Sequence, residues 1–583
     1  MLQDIRSTSN LNSPRWASLT WRGSDYFGMS GPVEFIAAAT LFALLIALNI
    51  LNVLHEGFNS DEPQHLHVIW GWAHGFVQYR DLFDNHMPLF HIMLAPIFGL
   101  ISERATILYW MRFILLPMYF VVAWCTYQIG TQLFSRRAGI WAVIAVGFYA
   151  DYRFVALEFR TDNLWAPLWL LCIVVLIRGK ISAHRALVAG LLLGLCFGVS
   201  MKSTIFLLSL LVSTSLVLAF VGPEKLGTSW RYLAQCGAVF LAAMAIIPGA
   251  IMIFFALKGV WPDFRYCVFD HNFLANPDNT SHPLMRAAMF PVTLGAFAYV
   301  ARWVIRAADD SELGFHRGFV LLICVSYILL LKSFWPLPEP DDYPPFYPLA
   351  FVIFIGGLLA LSEELARLKW NIRHIFRIIP LPVFVAIAEC AYLFVAHPLW
   401  KNGTRGETNL LRDVLALTRP DDYVFDCKGE TVFRRRCFRP VIEKLTMERI
   451  RRGIMAANIP QRCVETRTCV VATPMIERFP PTTLSFVKST YLRVTDQLRV
   501  AGTSLQASTT TPHRFDFEVV IPASYKIISR DGSVSGTLDG TPYDGARFLA
   551  PGPHAFESRS PLHSFILLWA PAVDRGFTPT KYD

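Results

Sequence analysis

Residues 59–65 read Asn-Ser-Asp-Glu-Pro-Gln-His and separate the first long apolar run from a mixed stretch, residues 75–91, GFVQYRDLFDNHMPLFH. The preceding apolar run, residues 32–54, is long enough to cross a bilayer, for which about 20 residues suffice. Carboxylates placed next to hydrocarbon are costly and are usually functional. We therefore expect the adjacent pair Asp61 and Glu62 to lie at a membrane surface and to carry chemistry there.

The composition indicates a polytopic membrane protein. Of 583 residues, 54% are hydrophobic and only 17% are charged, and the mean hydropathy is +0.40. A soluble chain is about 45–50% apolar and about 25% charged. The net charge of +9 does not indicate a nucleic-acid partner, because the charges lie mostly in short loops between apolar runs, as the positive-inside rule requires, and in the C-terminal third.

The apolar runs predict about eleven membrane spans of roughly 20 residues each. The weakest of them, residues 138–150, is interrupted by Asp151 and Arg153. Within another span, Gly190, Gly194 and Gly198 repeat every four residues, which predicts close helix packing. The predicted spans are residues 32–54, 108–134, 138–150, 164–177, 186–200, 204–221, 233–257, 289–304, 319–334, 348–361 and 378–396.

The loop charges predict the orientation. Residues 1–31 show no signal-peptide pattern, so we expect a cytoplasmic N-terminal segment followed by a first span that remains as an anchor. Lys and Arg then gather in alternate loops, beginning with Arg136 and Arg137, as expected for cytoplasmic loops. An odd number of spans places everything after His397 outside. We predict a multi-pass protein of the bacterial inner membrane, with residues 32–397 in the membrane and the tail in the periplasm.

The tail has ordinary soluble composition and is predicted to form two subdomains. Residues 398–500 mix short strands with helices and predict an α/β part, whereas residues 501–583 alternate in period two and predict a small β-sandwich. Turns are expected at Asp531-Gly532 and at Asp539-Gly540. The strands expected in the second part are residues 515–521, 525–529, 547–549 and 564–569.

The tail also contains four cysteines, Cys427, Cys437, Cys463 and Cys469. An even number of cysteines in an oxidising compartment predicts disulfides. Three connectivities are open, and local pairing, Cys427–Cys437 and Cys463–Cys469, is the first choice. A zinc site is the rival interpretation, which the lack of paired CxxC spacing disfavours.

Four polar clusters fall at the predicted outer ends of the spans. Each combines carboxylates, cations or aromatic rings, and the predicted topology brings all four into one plane. They are Asp61 and Glu62 with His65, Tyr79, Asp81 and His86; Glu158 to Asp162, with Arg160 between them; Lys202; and Tyr343 to Pro348, YPPFYP.

The order of these motifs resembles the C-type (GT-C) glycosyltransferases of the membrane. The closest groups are the protein O-mannosyltransferases, the lipid A aminoarabinose transferases and related bacterial sugar transferases. The resemblance covers roughly residues 30–360 and rests on Asp-Glu after a span, a His before Pro88, the acidic second loop, Met201-Lys202 and the Tyr343 motif. It implies a GT-C fold with an outer soluble domain. Gln64-His65 replaces the Arg-Tyr pair of the aminoarabinose transferases, and His86 replaces their Lys, which leaves the sugar and the acceptor open.

The resemblance also implies a mechanism. A sugar would move with inversion from a polyprenyl-phosphate donor in the membrane lipid to a glycan, lipid or protein acceptor. Asp61 would be the general base, Asp162 would orient a cation or the acceptor, and Glu62 would fix the loop, completing the catalytic set. The donor phosphate would be held by His86, Lys202 and Arg160. Substrate contacts are assigned to His65, Tyr79, Asp81, Glu158 and Tyr343. No cofactor is expected, although a divalent metal stays possible.

Other interpretations of the same residues stay open. Asp61 could cap a helix, Lys202 could snorkel to a lipid headgroup, and Arg160 could form a plain ion pair with Asp162. Tyr343 could belong to an interfacial aromatic belt. A metal held by Asp61 with three histidines is a further alternative; these are His65, His67 and His91.

Two other function classes are kept as alternatives, a secondary transporter and a non-catalytic envelope-assembly scaffold. A transporter would place ionisable groups near the middle of the membrane and would show a repeated architecture. Here the acids lie at span ends, no internal repeat is visible, and no P-loop motif is present.

Overall fold

Long apolar helices make up the first two thirds of the molecule. The computed structural model describes residues 28–273, 283–306, 311–335, 338–367, 378–396, 400–507, 513–529, 533–559 and 564–579. In chain order the helices are α1 (Pro32–His55), α2 (Asp61–Ala73), α3 (Leu89–Ile101), α4 (Ile107–Leu133), α5 (Arg136–Phe148), α6 (Ala150–Ala156), α7 (Asp162–Ile177), α8 (Ala183–Val199), α9 (Ser203–Val221), α10 (Trp230–Leu257), α11 (Trp261–Arg265), α12 (Pro283–Arg306), α13 (Ser311–Phe334), α14 (Tyr347–Arg367) and α15 (Leu381–Ala396).

A helix lies at each predicted span, which confirms a polytopic helical architecture. Among the described residues, six helices are long and apolar enough to cross a membrane, or seven if α5 and α6 count as one broken span with a bend of 79°. That bend lies beside Asp151 and Arg153, where the sequence interrupts its apolar run. Helices α7, α8 and α15 are apolar but have 16, 17 and 16 residues, so the number of eleven crossings stays a prediction.

Helices α8 and α10 approach closely because α8 presents glycines to α10. A Cβ atom added at Gly194 would lie 2.7 Å from the carbonyl oxygen of Met244, and one at Gly198 would lie 3.1 Å from Cγ2 of Ile247. Small residues let helix backbones pack at short range in a bilayer, where dispersion contacts stabilise the pair. The predicted packing role of the glycine repeat is confirmed.

We predict that Gly194→Ala destabilises the protein by about 1–3 kcal/mol, because the new methyl group overlaps backbone that cannot move freely. Gly249→Ala in α10 is the matched control, since no atom lies within 4 Å of a Cβ added there. Thermal unfolding of the purified protein in detergent measures both. Equal unfolding temperatures for the two variants would contradict the close approach.

The tail folds around two β-sheets. Its helices are α16 (Arg405–Leu417), α17 (Lys444–Arg451), α18 (Ile459–Glu465), α19 (Pro481–Thr490) and α20 (Ala570–Asp574). Its strands are β1 (Tyr423–Phe425), β2 (Arg435–Arg436), β3 (Val470–Ala472), β4 (Tyr491–Arg493), β5 (Leu498–Gln506), β6 (Arg514–Val519), β7 (Ala523–Ile528), β8 (Gly536–Leu538), β9 (Thr541–Pro542), β10 (Arg547–Leu549), β11 (Gly552–Ser558) and β12 (Ser564–Trp569).

The larger sheet joins both predicted subdomains of the tail. Its order is β10-β7-β12-β5-β3-β1-β2, with β4 also pairing with β5, and the second sheet has the order β6-β11-β8-β9. β5 crosses the predicted boundary between residues 500 and 501; it pairs with β3 before the boundary and with β12 after it. The division at residue 500 is therefore corrected, because one continuous hydrogen-bonded sheet spans it.

The expected strands and one expected turn of the second part are present. The four strand predictions correspond to β6, β7, β12 and β10. Asp539 and Gly540 both have positive φ, 51° and 75°, in the turn between β8 and β9. The turn expected at Asp531-Gly532 lies outside the described residues.

The predicted local disulfides, Cys427–Cys437 and Cys463–Cys469, are not formed in this structure, and the pairing stays a prediction. Cys427 donates its thiol hydrogen to the carbonyl of Ile442 at 3.1 Å, and Cys469 donates to the carbonyl of Arg467 at 3.4 Å. Cys437 and Cys463 instead lie with their Sγ atoms 3.3 Å apart, and all four cysteines are free thiols. All four cysteines lie in one apolar core of the tail.

The tail docks on the loops that connect the membrane helices. Phe433 packs with the membrane-domain core and lies 6.1 Å from Phe98, ring centre to ring centre. Arg434 forms an ion pair with Glu103 at 3.0 Å. Arg439 donates to the carbonyl of Tyr79 at 2.7 Å. Apolar and charged contacts therefore fix the tail against the helix ends that carry the polar clusters.

Candidate functional site

A cavity of about 390 Å³ lies between the loops of the membrane domain and the tail. The lining combines residues from loops that are far apart in the chain. These are Asn59, Ser60, Asp61, Asn85 and His86 from the first loops; Arg160; Ser200 to Lys202; Asn272 and Phe273; Trp335, Glu339, Asp341 and Asp342; and Lys428, Glu443, Lys444 and Arg478 from the tail.

Asp61 faces this cavity and forms ion pairs with two cationic side chains. It is the first residue of α2, after Ser60, so its carboxylate is not the cap of that helix. Oδ2 lies 2.8 Å from Nη2 of Arg160, and Oδ1 pairs with the ammonium group of Lys428. Although burial raises it, the charges of Lys428 and Arg160 hold the pKa of Asp61 well below its usual range. The carboxylate is therefore ionised and has both oxygens occupied.

Arg160 is the centre of the charged cluster. Besides Asp61, it contacts Glu158 and Asp162, each at 3.4 Å, and Asp341. Its side chain is only 6% exposed. The interpretation as a plain ion pair with Asp162 is wrong, because one guanidinium serves four carboxylates from three loops.

Lys202 is the second buried cation with more than one carboxylate partner. Its ammonium group lies 3.0 Å from Oδ1 of Asp162 and also pairs with Asp342. Asp162 Oδ1 accepts a further hydrogen bond from the indole of Trp165 at 2.9 Å. Snorkelling to a lipid headgroup is therefore not the role of Lys202, since its charge points into the protein.

Glu62 lies behind the cavity instead of lining it. Its Oε2 accepts from Nε of Arg112 at 2.7 Å and from the backbone N–H of Phe159 at 2.8 Å, and its Oε1 accepts from the N–H of Asn59 at 2.8 Å. Glu62 is fully buried. It thus joins α4, the first loop and the second loop, which is the loop-fixing role expected from the sequence.

We predict that Glu62→Gln destabilises the protein by about 3–5 kcal/mol, because it leaves the buried guanidinium of Arg112 without its counter-charge. Glu56→Gln is the control, since Glu56 precedes the same loop and its hydrogen bond with Arg112 is through its backbone carbonyl, at 2.8 Å. Chemical or thermal unfolding in detergent measures the difference. A Glu62 variant as stable as the Glu56 control would contradict this assignment.

A chain of buried histidines lies beneath His86. Nδ1 of His86 is 2.8 Å from Oδ1 of Asp84, whose Oδ2 is 3.5 Å from Nδ1 of His91. Nε2 of His91 lies 3.1 Å from Nδ1 of His65. Burial lowers the pKa of His86, but the charge of Asp84 outweighs it and raises the pKa above the usual value. Only His86 of this chain lines the cavity, so it can present a cation there.

The structure does not assemble the metal group that the sequence allowed. His67 contacts the carbonyl of Val432 at 2.7 Å, and Asp61 is taken up by Arg160 and Lys428. A different trio has ligand atoms within 4.8 Å of one another, namely His65, Asp84 and His91. The expectation that no cofactor is needed stays a prediction.

The remaining expected substrate contacts fall at four places. Tyr79 is buried and its hydroxyl donates to the carbonyl of His86 at 2.8 Å, so it supports the loop. Asp81 pairs with Arg80 at the surface. Glu158 lies against Arg160, and burial raises its pKa to about 8. The ring of Tyr343 packs 6.1 Å from that of Tyr347, outside the lining of the cavity.

Sequence reasoning missed Asp341, Asp342 and Lys428. The two aspartates directly precede the Tyr343 motif, so their adjacency was an available signal. Lys428 gave no signal, because it lies in the tail after β1, and only docking of the tail brings it to Asp61.

Comparisons with known proteins support the fold. No family model matches the chain, and no curated protein matches its sequence. The structure is similar to apo ArnT from Cupriavidus metallidurans, with a TM-score of 0.54 and 12% identity over 79% of this chain and 97% of that one. ArnT bound to undecaprenyl phosphate gives a TM-score of 0.48 at 13% identity over the same shares. AglB from Archaeoglobus fulgidus, with an inhibitory peptide and a dolichol-phosphate, gives 0.47 at 11% over 87% and 74%. The similarity to apo ArnT confirms the predicted GT-C fold.

Proposed function

We propose that the chain is an inverting glycosyltransferase that moves a sugar from a polyprenyl-phosphate donor to an envelope glycan, lipid or protein. It would act on the outer face of the bacterial inner membrane. The observation that carries the proposal is the cavity in which an ionised Asp61 faces Arg160, Lys202, Lys428 and His86. A base and a cluster of cations are what transfer from a lipid phosphate to a hydroxyl requires.

Each step of the proposed transfer is assigned to one of these side chains. The acceptor hydroxyl oxygen attacks the anomeric carbon and forms the new glycosidic bond, while Asp61 takes the hydroxyl proton. The bond between that carbon and the phosphate oxygen breaks, and its electron pair leaves with the lipid phosphate. The phosphate is already a good leaving anion, so cations matter more than an acid. His86, Arg160 and Lys202 are assigned to stabilise it, and Asp162 orients Lys202.

The arrangement disfavours a secondary transporter. Asp61 and Asp162 are the first residues of α2 and α7, and Lys202 lies between α8 and α9. These charges lie at helix ends, whereas the coupling sites of transporters lie near the middle of the membrane. A scaffold would not need an ionised carboxylate directed into a cavity. Replacing the Asp61 carboxylate by an amide should therefore leave a scaffold functional and inactivate an enzyme.

We predict that Asp61→Asn lowers sugar transfer by about 10²–10⁴-fold, the usual contribution of a general base. The measurement is incorporation of labelled sugar from undecaprenyl-phosphate-linked donors into envelope fractions by membranes that contain the protein. The control is Asp151→Asn, because Asp151 is exposed, accepts from the hydroxyl of Tyr149 at 2.9 Å and does not line the cavity.

The Asp61 variant should remain folded and still bind undecaprenyl phosphate, the lipid crystallised with ArnT. Wild-type transfer by Asp61→Asn would refute the proposed base. If the wild-type protein consumes none of the polyprenyl-phosphate-linked sugars, the assignment as a glycosyltransferase is refuted.

A further inference from the structure

The cations of the cavity differ in how firmly carboxylates hold them. Five Lys and Arg side chains line it, namely Arg160, Lys202, Lys428, Lys444 and Arg478. Arg160 keeps three carboxylates even without Asp61, and Lys202 has two. Lys444 pairs with Glu339 at 2.6 Å in an exposed position. Arg160 and Lys202 therefore stay in place when an anion enters and stabilise it without leaving their carboxylates, whereas Lys428 and Arg478 have fewer partners to leave.

Lys428 has Asp61 as its single ion-pair partner in the part of the chain that the structure describes. Its ammonium group otherwise lies 3.3 Å from the hydroxyl of Ser60. The loop that carries it is fixed, because Asp426 accepts from the N–H groups of Gly429 and Thr431, both at 3.0 Å. The backbone is thus rigid, while the long side chain can turn from one anion to another.

Arg478 is the second available cation. It ends a short 3₁₀ turn, Ile476–Arg478, and its side chain lines the cavity. Within the described ranges its guanidinium makes no hydrogen bond or ion pair with another residue. It lines the same cavity as Lys428. A guanidinium without a partner in a cavity is suited to bind an oxyanion with two hydrogen bonds.

We propose that Lys428 and Arg478 form a phosphate-binding subsite contributed by the tail, and that phosphate bound there withdraws Lys428 from Asp61. The proposal rests on the proposed function, in which the phosphate is that of the polyprenyl donor. Free phosphate has the same binding chemistry and would occupy the same place.

This exchange links donor binding to the readiness of the base. While Lys428 holds Oδ1 of Asp61, that oxygen cannot accept the proton of an acceptor hydroxyl. The donor phosphate binds the ammonium group of Lys428 and so releases Oδ1 of Asp61, while Arg160 still contacts Oδ2. The tail therefore makes the base available after the donor has bound, which gives an order of donor before acceptor.

Binding of undecaprenyl phosphate to the purified full-length protein in detergent tests the subsite. Lys428→Gln and Arg478→Gln should each weaken binding about tenfold or more, because each removes a charge-assisted contact. Lys428→Arg should stay close to wild type. Asp61→Asn should tighten binding, because it removes the carboxylate that competes for Lys428. Matched controls are Lys488→Gln and Arg462→Gln, both exposed on the tail and outside the cavity.

Two further probes separate the sources of the phosphate. Undecaprenol, which lacks the phosphate, should bind all variants equally. Inorganic phosphate should bind the wild-type protein, and its binding should weaken in the same two Gln variants if the phosphate group alone is recognised. Wild-type affinity of Arg478→Gln for both phosphates would overturn the subsite. A loss of affinity should come without a change in unfolding temperature, because within the described residues the Arg478 guanidinium makes no hydrogen bond or ion pair. Unchanged binding by Asp61→Asn would overturn the exchange.

The outcomes also separate this inference from the proposed function. If the chain is not a transferase, no sugar moves, yet phosphate binding still depends on Lys428 and Arg478. If the subsite is wrong, both Gln variants transfer sugar as the wild-type protein does, whereas Asp61→Asn does not.

Discussion

The guanidinium of Arg160 lies among the carboxylates of Asp61, Glu158, Asp162 and Asp341. Burial alone would lower the pKa of Arg160, yet these acids raise it, so the charge persists in a desolvated place. An unpaired buried charge costs several kcal/mol, and the acids, with Asp61 and Asp162 contributing most, lower that cost. Because the acids come from three separate loops, satisfying one cation requires those loops to converge. The cavity is the space that this convergence leaves.

The tail completes the cavity. Phe433 packs on the membrane-domain core, Arg434 pairs with Glu103, and Lys428 reaches Asp61. The carboxylate that the membrane domain supplies is thus neutralised in part by a residue more than three hundred positions later in the chain. The geometry of the cavity and the docking of the tail are consequently coupled. The tail is a component of the site, and its large continuous sheet gives the Lys428 loop a rigid base.

The sequence predicted the features that depend on the membrane. Apolar runs located the helices, and shared sidedness predicted that Asp61, Arg160, Asp162 and Lys202 would meet. It could not assign roles to neighbours, because adjacent residues of a helix point in directions about 100° apart. Asp61 therefore faces the cavity while Glu62 faces Arg112. Lys428, Arg478 and the Cys437–Cys463 proximity depend on tertiary contacts of the tail, which leave no local pattern.

The most direct measurement is a structure of the full-length protein with undecaprenyl phosphate bound. We expect density for the phosphate inside the cavity, in contact with Lys428 and Arg478, with Oδ1 of Asp61 released from the lysine and Arg160 still in place. A phosphate bound outside this cavity, or Lys428 still paired with Asp61 while the lipid is bound, would contradict this expectation.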